Sequence, residues 1–333
     1  MMECPSCGGG CVQEAPAVLA GIERLYIACR DCRPDPELDK SGPLADLPAG
    51  IGRCPSCGRA PLDGVMLDAL RILVEFGLRD EHEGLRSVGT PLPAVGYPLA
   101  YPPRIGPRGL TIVGDRLSRE AAAEMVARIP EVRGVILSRG VPGIWDLEAP
   151  PGENELLAGC DIRADIIQSL FGELVVYKSQ SRIHIEYPRQ SAPKMRILEG
   201  LYLDGRIRDV VDGLCGPGSL GMMCVLAGAE RVVLNDAWLP AVENVILNLR
   251  VNRVLLGIED MEILARPVGP VGGEPLLVCR ADGACEIEVY HGDLSRLFSR
   301  VRPADLCLID HFPGASTRAL EDACSCCRQI VIV

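Results

Sequence analysis

The sequence predicts an α/β protein built on a Rossmann-like, doubly wound sheet over residues 206–333. A small α/β lobe (109–205), a helix with a proline-rich linker (61–108) and a cysteine-rich module (1–60) precede it. Three observations carry this expectation. A short apolar strand runs into a glycine-rich turn and then a helix between Arg208 and Gly228; later strand-like runs end at or just before an acid; and three Cys-x-x-Cys pairs fall in the first 60 residues.

In the first stretch, Val210 and Val211 supply β-branched strand character and Asp212 closes the strand. Gly213, Gly216, Gly218 and Gly221 bracket a turn that must pass close to something, because glycine is needed where a side chain would block a ligand. The G-x-G-x-x-G pattern within it is weak alone, and its strand–turn–helix context raises it. A second strand, Arg231 to Leu234, ends in Asn235-Asp236. Asp236 lies 24 residues after Asp212, close to the offset at which an acid hydrogen-bonds ribose hydroxyls in nucleotide-type folds. A helix from Pro240 to Arg250 follows, with Val242, Val245, Ile246 and Leu249 on one stripe.

Asp293 follows the strand Glu286 to Tyr290, and Asp310 ends the strand Asp305 to Ile309, opening Asp310-His311-Phe312-Pro313-Gly314. Polar residues at successive strand ends describe the carboxyl edge of a doubly wound sheet, where ligands bind. Gln329 to Val333 reads as a fifth strand.

The run from Asp212 through Asp236 and Asp293 to Asp310-x-x-Pro313 resembles the class I S-adenosylmethionine-dependent methyltransferases. More narrowly, it resembles the archaeal and eukaryotic tRNA guanine-N1 methyltransferases, which act 3′ of the anticodon, and their wybutosine-synthesis relatives. The resemblance covers roughly Leu110 to the end. The family's Ser-Pro-Arg element corresponds to Tyr187-Pro188-Arg189, expected after a strand over Arg182 to Glu186 and before a helix over Met195 to Leu201.

The resemblance implies that the stretch from Asp212 through Gly213 and Gly216 to Gly218 lies under the methionine part of S-adenosylmethionine. It also implies that Asp236 holds the ribose and Asp293 reaches the adenine amine, while Trp238 either stacks on adenine or packs. Its catalytic group would be Arg189, Asp310, Phe312 and Pro313, with Asp310 accepting a hydrogen bond from an amine and Phe312 pressing a flat substrate or serving the core. His311 is a candidate base; His82, His184 and His291 read as solvated or packed.

Departures from the family bear on the substrate. Pro193-Lys194 stands where a glutamate–arginine pair is expected, so the usual proton acceptor for a ring nitrogen is missing. Asp310-His311-Phe312-Pro313 replaces the family's Asn-Leu-Pro and is closer to enzymes that methylate exocyclic amines of guanine in tRNA. The sheet is expected to lack the family's last two strands. The leading expectation is a methyltransferase acting on RNA, a tRNA base; a protein side chain is the alternative substrate, and a non-catalytic cofactor-binding assembly factor is a third class.

The cysteine pairs are Cys4 and Cys7, Cys29 and Cys32, and Cys54 and Cys57, with Cys11 as a spare. Two pairs close one tetrahedral Zn2+ site, and four thiolates leave no open position for chemistry, so a structural zinc ribbon is expected. The favoured set is Cys4, Cys7, Cys29 and Cys32, on the expectation that Val12 to Leu19 and Arg24 to Ala28 are strands joining the knuckles. The third pair then completes a second site or swaps into the first; bare thiols and an iron–sulfur cluster are the alternatives. Cys324, Cys326 and Cys327 read as buried thiols, with metal binding beside Cys54 and Cys57 as the lesser reading.

With 333 residues the chain has room for two or three domains. A net charge of -11 and no Lys/Arg run argue against a strongly basic nucleic-acid surface, and 4% aromatic content leaves few rings for base stacking. No DNA partner is expected. Without a signal peptide or an apolar run of about 18 residues, neither export nor a membrane span is expected, and the setting is a reducing cytoplasm. Pro61 to Gly77 carries apolar residues at helical spacing. Leu110 to Val113, Ser118 to Ile129 and Gly134 to Leu137 read as strand, helix and strand, with Ser118 as N-cap, and Trp145 to Ile183 continues the lobe.

Overall fold

The computed structural model describes residues 2–99, 102–142, 154–187, 189, 192–205, 207–267, 273–311 and 317–333. In the N-terminal module, the two expected joining strands are replaced by helix α1 (Ala15–Gly21) and a 3-10 turn over Ile22–Arg24. Pro16 lies in the helix's first turn, where its missing N–H interrupts no helical bond, and Ala15 and Val18 are buried. Tyr26 is buried, donating its hydroxyl to the Val95 carbonyl at 2.7 Å.

The next elements are β1 (Ala60–Pro61), α2 (Leu62–Glu75), β2 (Thr90–Pro93), β3 (Val95–Gly96), β4 (Arg104–Ile105), β5 (Leu110–Gly114), α3 (Arg119–Arg128) and β6 (Val132–Leu137). They are followed by β7 (Glu155–Gly159), β8 (Ile162–Ser169), β9 (Gly172–Ser179) and α4 (Pro193–Asp204). Helix α2 occupies the span its apolar spacing predicts. The Ser118 Oγ accepts the Ala121 N–H and caps α3, whose crossover makes β5 and β6 parallel.

The proline-rich 88–108 run, expected as a linker and domain boundary, is instead paired. β2 lies antiparallel to β5, β3 runs parallel to β8, and β4 pairs with β1. Its prolines 91 and 93 are accommodated because β2 is the edge of the four-stranded sheet β2-β5-β6-β7, where a missing donor costs little. Val88, Leu92 and Ile105 are fully buried, so this run is core and not spacer. A second difference lies at 182–186, which is irregular where a strand was expected.

The C-terminal part comprises β10 (Asp209–Asp212), α5 (Ser219–Leu226), β11 (Arg231–Asp236), α6 (Leu239–Val251), β12 (Ile258–Ile263) and β13 (Leu276–Gly283). After these come β14 (Glu286–His291), α7 (Leu294–Leu297), β15 (Leu306–Ile309), α8 (Arg318–Ala323) and β16 (Gln329–Ile332). The sheet order is β12-β13-β14-β11-β10-β15-β16. Its five parallel strands are those the sequence predicts, while the antiparallel β12–β13 hairpin beside β14 was not expected. Among the described residues β16 is an edge. The strand order reverses at β10, and open α/β sheets bind ligands outside the carboxyl ends of the strands at such a reversal.

The two lobes are joined by an unusual ladder. Asn244, Asn248 and Asn252 lie four residues apart on α6, and their Oδ1 atoms accept the N–H groups of Ser179, Tyr177 and Val175 on the edge strand β9, at 3.0, 2.7 and 3.0 Å. Asn248 and Asn252 return Nδ2 donors to the Tyr177 and Val175 carbonyls. The match is geometric: four helical residues rise about 6 Å, and two strand residues about 6.6 Å. A helix face thereby acts as the next strand and satisfies an edge that would otherwise be open.

Candidate active site

Three acids converge at the carboxyl ends of adjacent strands β11, β10 and β15. Asp212 is fully buried; its Oδ2 accepts the Gly221 N–H at 2.9 Å while Oδ1 has no hydrogen-bond partner among the described residues. Burial, with the charges of Asp310 and Asp236 adding, pushes its carboxyl up to about 8. Asp236 accepts the Gly216 N–H on Oδ2 at 2.8 Å and the Trp238 N–H on Oδ1 at 2.8 Å, so it ties the glycine loop to the start of α6. Burial raises it to about 6 against the pull of these amides.

The loop needs two glycines for different reasons. Gly218 has φ +87 at the N-cap of α5, a left-handed conformation that β-carbon residues avoid. A Cβ on Gly221 would lie 2.1 Å from Leu234, so the helix approaches the sheet only because that position is bare. Gly213 and Gly216 complete the turn between β10 and α5. Asn235, buried between these strands, donates to the Gly213 and Gly292 carbonyls and fixes the β10 and β14 loops against each other.

Asp293 follows β14 on the same edge, where it caps α7 by accepting the Ser295 N–H, and its side chain is exposed. Trp238 donates its indole N–H to the Arg182 carbonyl at 3.0 Å, which makes it a tie between lobes. His291 is packed, with Nε2 3.1 Å from the Ala237 oxygen, and His82 is exposed. His311, next to Asp310 in sequence, has a buried Nδ1 without a hydrogen-bond partner among the described residues. Arg189 is exposed, whereas Phe312 and Pro313 lie outside the described residues.

Sequence reasoning missed Glu186 and His184. An alternating chain of charges runs from the lobe interior to the crevice: Arg163 to Asp165 (2.6 Å), Asp165 to Lys178 (3.3 Å), Lys178 to Glu186 (3.1 Å), Glu186 to Lys194 (3.2 Å) and Lys194 to Asp310 (2.7 Å). His184 Nε2 lies 3.3 Å from the same Glu186 carboxylate. His184 foremost, then Lys178 and Lys194, hold Glu186 far below the usual carboxylate range. Burial raises Asp310, and Lys194 opposes that rise. Glu186 thus brings a carboxylate beside Asp310, although the sequence places Pro193-Lys194 where the family's acid was expected.

The cysteines separate into two groups. Cys29, Cys32, Cys54 and Cys57 bring their sulfurs within 4.8 Å of one another, and Cys4, Cys7, Cys11 and Cys160 do the same. The expected set of Cys4, Cys7, Cys29 and Cys32 is therefore not the one the fold assembles: the middle pair meets the third pair. In that first group the sulfurs lie 3.6 to 3.7 Å apart along three edges. A tetrahedral ion with Zn–S bonds of about 2.3 Å requires edges of about 3.8 Å, so the donor set fits zinc. Cys324 and Cys327 are buried against Cys307 behind the sheet, in a separate core from either group, and Cys326 is exposed.

No family model and no curated protein matches the sequence. Among solved structures, Trm5b from Pyrococcus abyssi is 15% identical, with 81% of this chain and 80% of that chain covered and a TM-score of 0.39. The TYW2 of P. horikoshii in complex with MeSAdo is 14% identical, with 78% and 75% covered and a TM-score of 0.40. The tRNA m1G37 methyltransferase of M. jannaschii is 15% identical, with 67% and 54% covered and a TM-score of 0.37. The chain spans 61% of the length of the aTrm5 solved with tRNALeu.

Proposed function

We propose that the chain is an S-adenosylmethionine-dependent methyltransferase acting on RNA, with a tRNA base as acceptor. The observation that carries the cofactor is the buried, unpartnered Oδ1 of Asp212 at the switch point of the sheet, flanked by the glycine loop and Asp236. A buried carboxyl with an unused oxygen suits a cationic group, and the methionine end of this cofactor is cationic. When bound, the cofactor supplies an electrophilic methyl on a sulfonium.

The chain's own residues orient and desolvate. Asp236 keeps the loop closed through Gly216 and retains lone pairs for ribose hydroxyls. Asp310, held by Lys194, is proposed to accept a hydrogen bond from an acceptor amine and so orient the amine's lone pair toward the methyl group. Arg189 and Phe312-Pro313 are assigned to the acceptor side with it. Alignment of donor and acceptor supplies most of the rate in such transfers, which a rigid loop and a fixed carboxylate serve. Zn2+ belongs to the ribbon of Cys29, Cys32, Cys54 and Cys57, in a structural role, since four thiolates close its coordination. The proposed setting is the cytoplasm; among the described residues no helix is long and apolar enough to cross a membrane.

The test is transfer of label from methyl-labelled cofactor into separate RNA and protein fractions of the source cell. Label in tRNA, lost in Asp310→Ala with cofactor affinity retained, supports the reading. Label only in a protein band replaces RNA by a protein acceptor, and folded protein that binds cofactor yet labels neither fraction points to the assembly-factor class.

A further inference from the structure

We infer that Cys4, Cys7, Cys11 and Cys160 form a second, mononuclear zinc site that clamps the N-terminal segment onto the small lobe. Cys160 lies 156 residues from Cys4 in sequence, yet their sulfurs are 3.6 Å apart, and Cys7 and Cys11 are 3.4 Å apart. All four fall within 4.8 Å of one another, close to the edges of about 3.8 Å that a tetrahedral Zn–S site of about 2.3 Å bonds demands. A four-iron cluster would hold its cysteines across the width of a cubane, farther apart than this group allows. All four are free thiols, so the grouping is not a pair of disulfides.

The backbone at Cys4 repeats the ribbon's knuckle. The Cys4 N–H donates to Gly9 and the Gly8 N–H to Cys4, with Gly8 at φ +68; the Cys54 N–H donates to Arg59 and the Gly58 N–H to Cys54, with Gly58 at φ +69. One backbone device built twice, each time facing two further thiols, is the arrangement of a ligand half-site. In the ribbon the opposing half is Cys29 and Cys32. Here it is Cys11 with Cys160, which sits in the β7–β8 turn, its N–H donating to the Arg133 carbonyl at 3.0 Å.

The surrounding charge points the same way. Four thiolates around Zn2+ leave a net charge of -2, which needs a nearby cation when buried. Arg133 is buried, its Nε has no hydrogen-bond partner among the described residues, and Arg133 and Arg108 line the same cavity as Cys7 and Cys11. A buried guanidinium against neutral thiols would lack that counter-charge. Beyond the ion, Val12, Ala15 and Val18 pack with Ile162, Ala164 and Val175, and the Gln13 N–H donates to Tyr177 Oη at 3.1 Å, so the clamp holds α1 on β8 and β9.

The experiment is zinc content per chain, by elemental analysis of the full-length protein purified under reducing conditions. Two ions are expected in the native chain, one in Cys160→Ser and one in Cys54→Ser/Cys57→Ser. X-ray absorption of the last variant should show four sulfurs at about 2.3 Å. Should Cys160→Ser fold poorly, Cys11→His keeps a ligand and should retain both ions, with one nitrogen replacing one sulfur in the average second-site shell. An unchanged zinc count in Cys160→Ser, an all-sulfur shell in Cys11→His, or disulfides in place of the four thiols in the native chain would overturn the clamp.

Discussion

Lys194 Nζ stands 2.7 Å from Asp310 Oδ2 and, on its other side, 3.2 Å from Glu186 Oε1, so one ammonium from the first turn of α4 separates two carboxylates at the crevice. The strand-end acid assigned to the acceptor is therefore set from the small lobe. Burial raises its carboxyl, Lys194 opposes that rise, and Glu186 and His184 add smaller effects of opposite sign. The effect of Lys194 can be measured.

Lys194→Met removes the ammonium between Asp310 and Glu186, while Glu186 keeps Lys178 at 3.1 Å and Asp310 loses its ion-pair partner. Lys194 is what holds Asp310 down against burial, so its loss should raise that carboxyl further, and the acid limb of the kcat/KM profile should move to higher pH. Cofactor affinity should change little. A profile identical to the native one would show that Asp310 does not need to be ionised for turnover.

Asp236 anchors the glycine loop and, in the proposed function, meets the ribose; two substitutions separate the two roles. Asp236→Ala should weaken cofactor binding by about 1.5 to 3 kcal/mol, the scale of hydrogen bonds to a charged group. Asp236→Asn keeps an oxygen for only one of the two amides it now serves, Gly216 or Trp238, and should lose less. Calorimetry on both proteins checks this, and native affinity in a folded Asp236→Ala would remove the residue from the ribose role.

What the sequence revealed and what it hid follow from range. Val210-Val211, the glycine turn and the acids at strand ends are local, and the five parallel strands were legible from them. The β12–β13 hairpin was not, because β12 is largely exposed and its apolar alternation is weak, although Asp282-Gly283 marks the following turn. The proline-rich run misled because prolines signal loop, while an edge strand tolerates them as well. Cysteine spacing pairs neighbours into knuckles but does not say which knuckles meet, and the role of Cys160 exists only once β7 and β8 fold. Glu186, His184 and Lys194 reach Asp310 from over a hundred residues away. The four-residue spacing of Asn244, Asn248 and Asn252 was visible, but its meaning required β9 alongside.

That ladder should be a large part of the bond between lobes. Asn248→Leu would strand the Tyr177 N–H and carbonyl and the Pro217 carbonyl, each now served by Asn248 inside the protein. Buried backbone groups left unpaired cost about 1 to 3 kcal/mol each, so a loss of at least about 2 kcal/mol is expected in denaturant unfolding. A change below about 0.5 kcal/mol would mean that water replaces the side chain and that the lobes are held mainly by apolar contact.

Asp212 gives the sharpest pH test. Its carboxyl stands at about 8 in the folded chain against an ordinary value of 3.8, so between those values the folded state keeps a proton that the unfolded state has lost. Stability without ligand should then fall as pH rises from about 4 to 8, by at most about 1.4 kcal/mol per unit, and level off above. A cation placed against Oδ1 favours the carboxylate and expels that proton. Cofactor affinity should therefore rise with pH, by up to about tenfold per unit, between about pH 6 and 7.5, with proton release seen by calorimetry in buffers of different ionisation heat. Asp212→Asn should abolish both the stability slope and the proton release attributable to this group while weakening binding. Native affinity and undiminished proton release in that variant would place the cation elsewhere and leave the unpartnered oxygen without the role assigned to it.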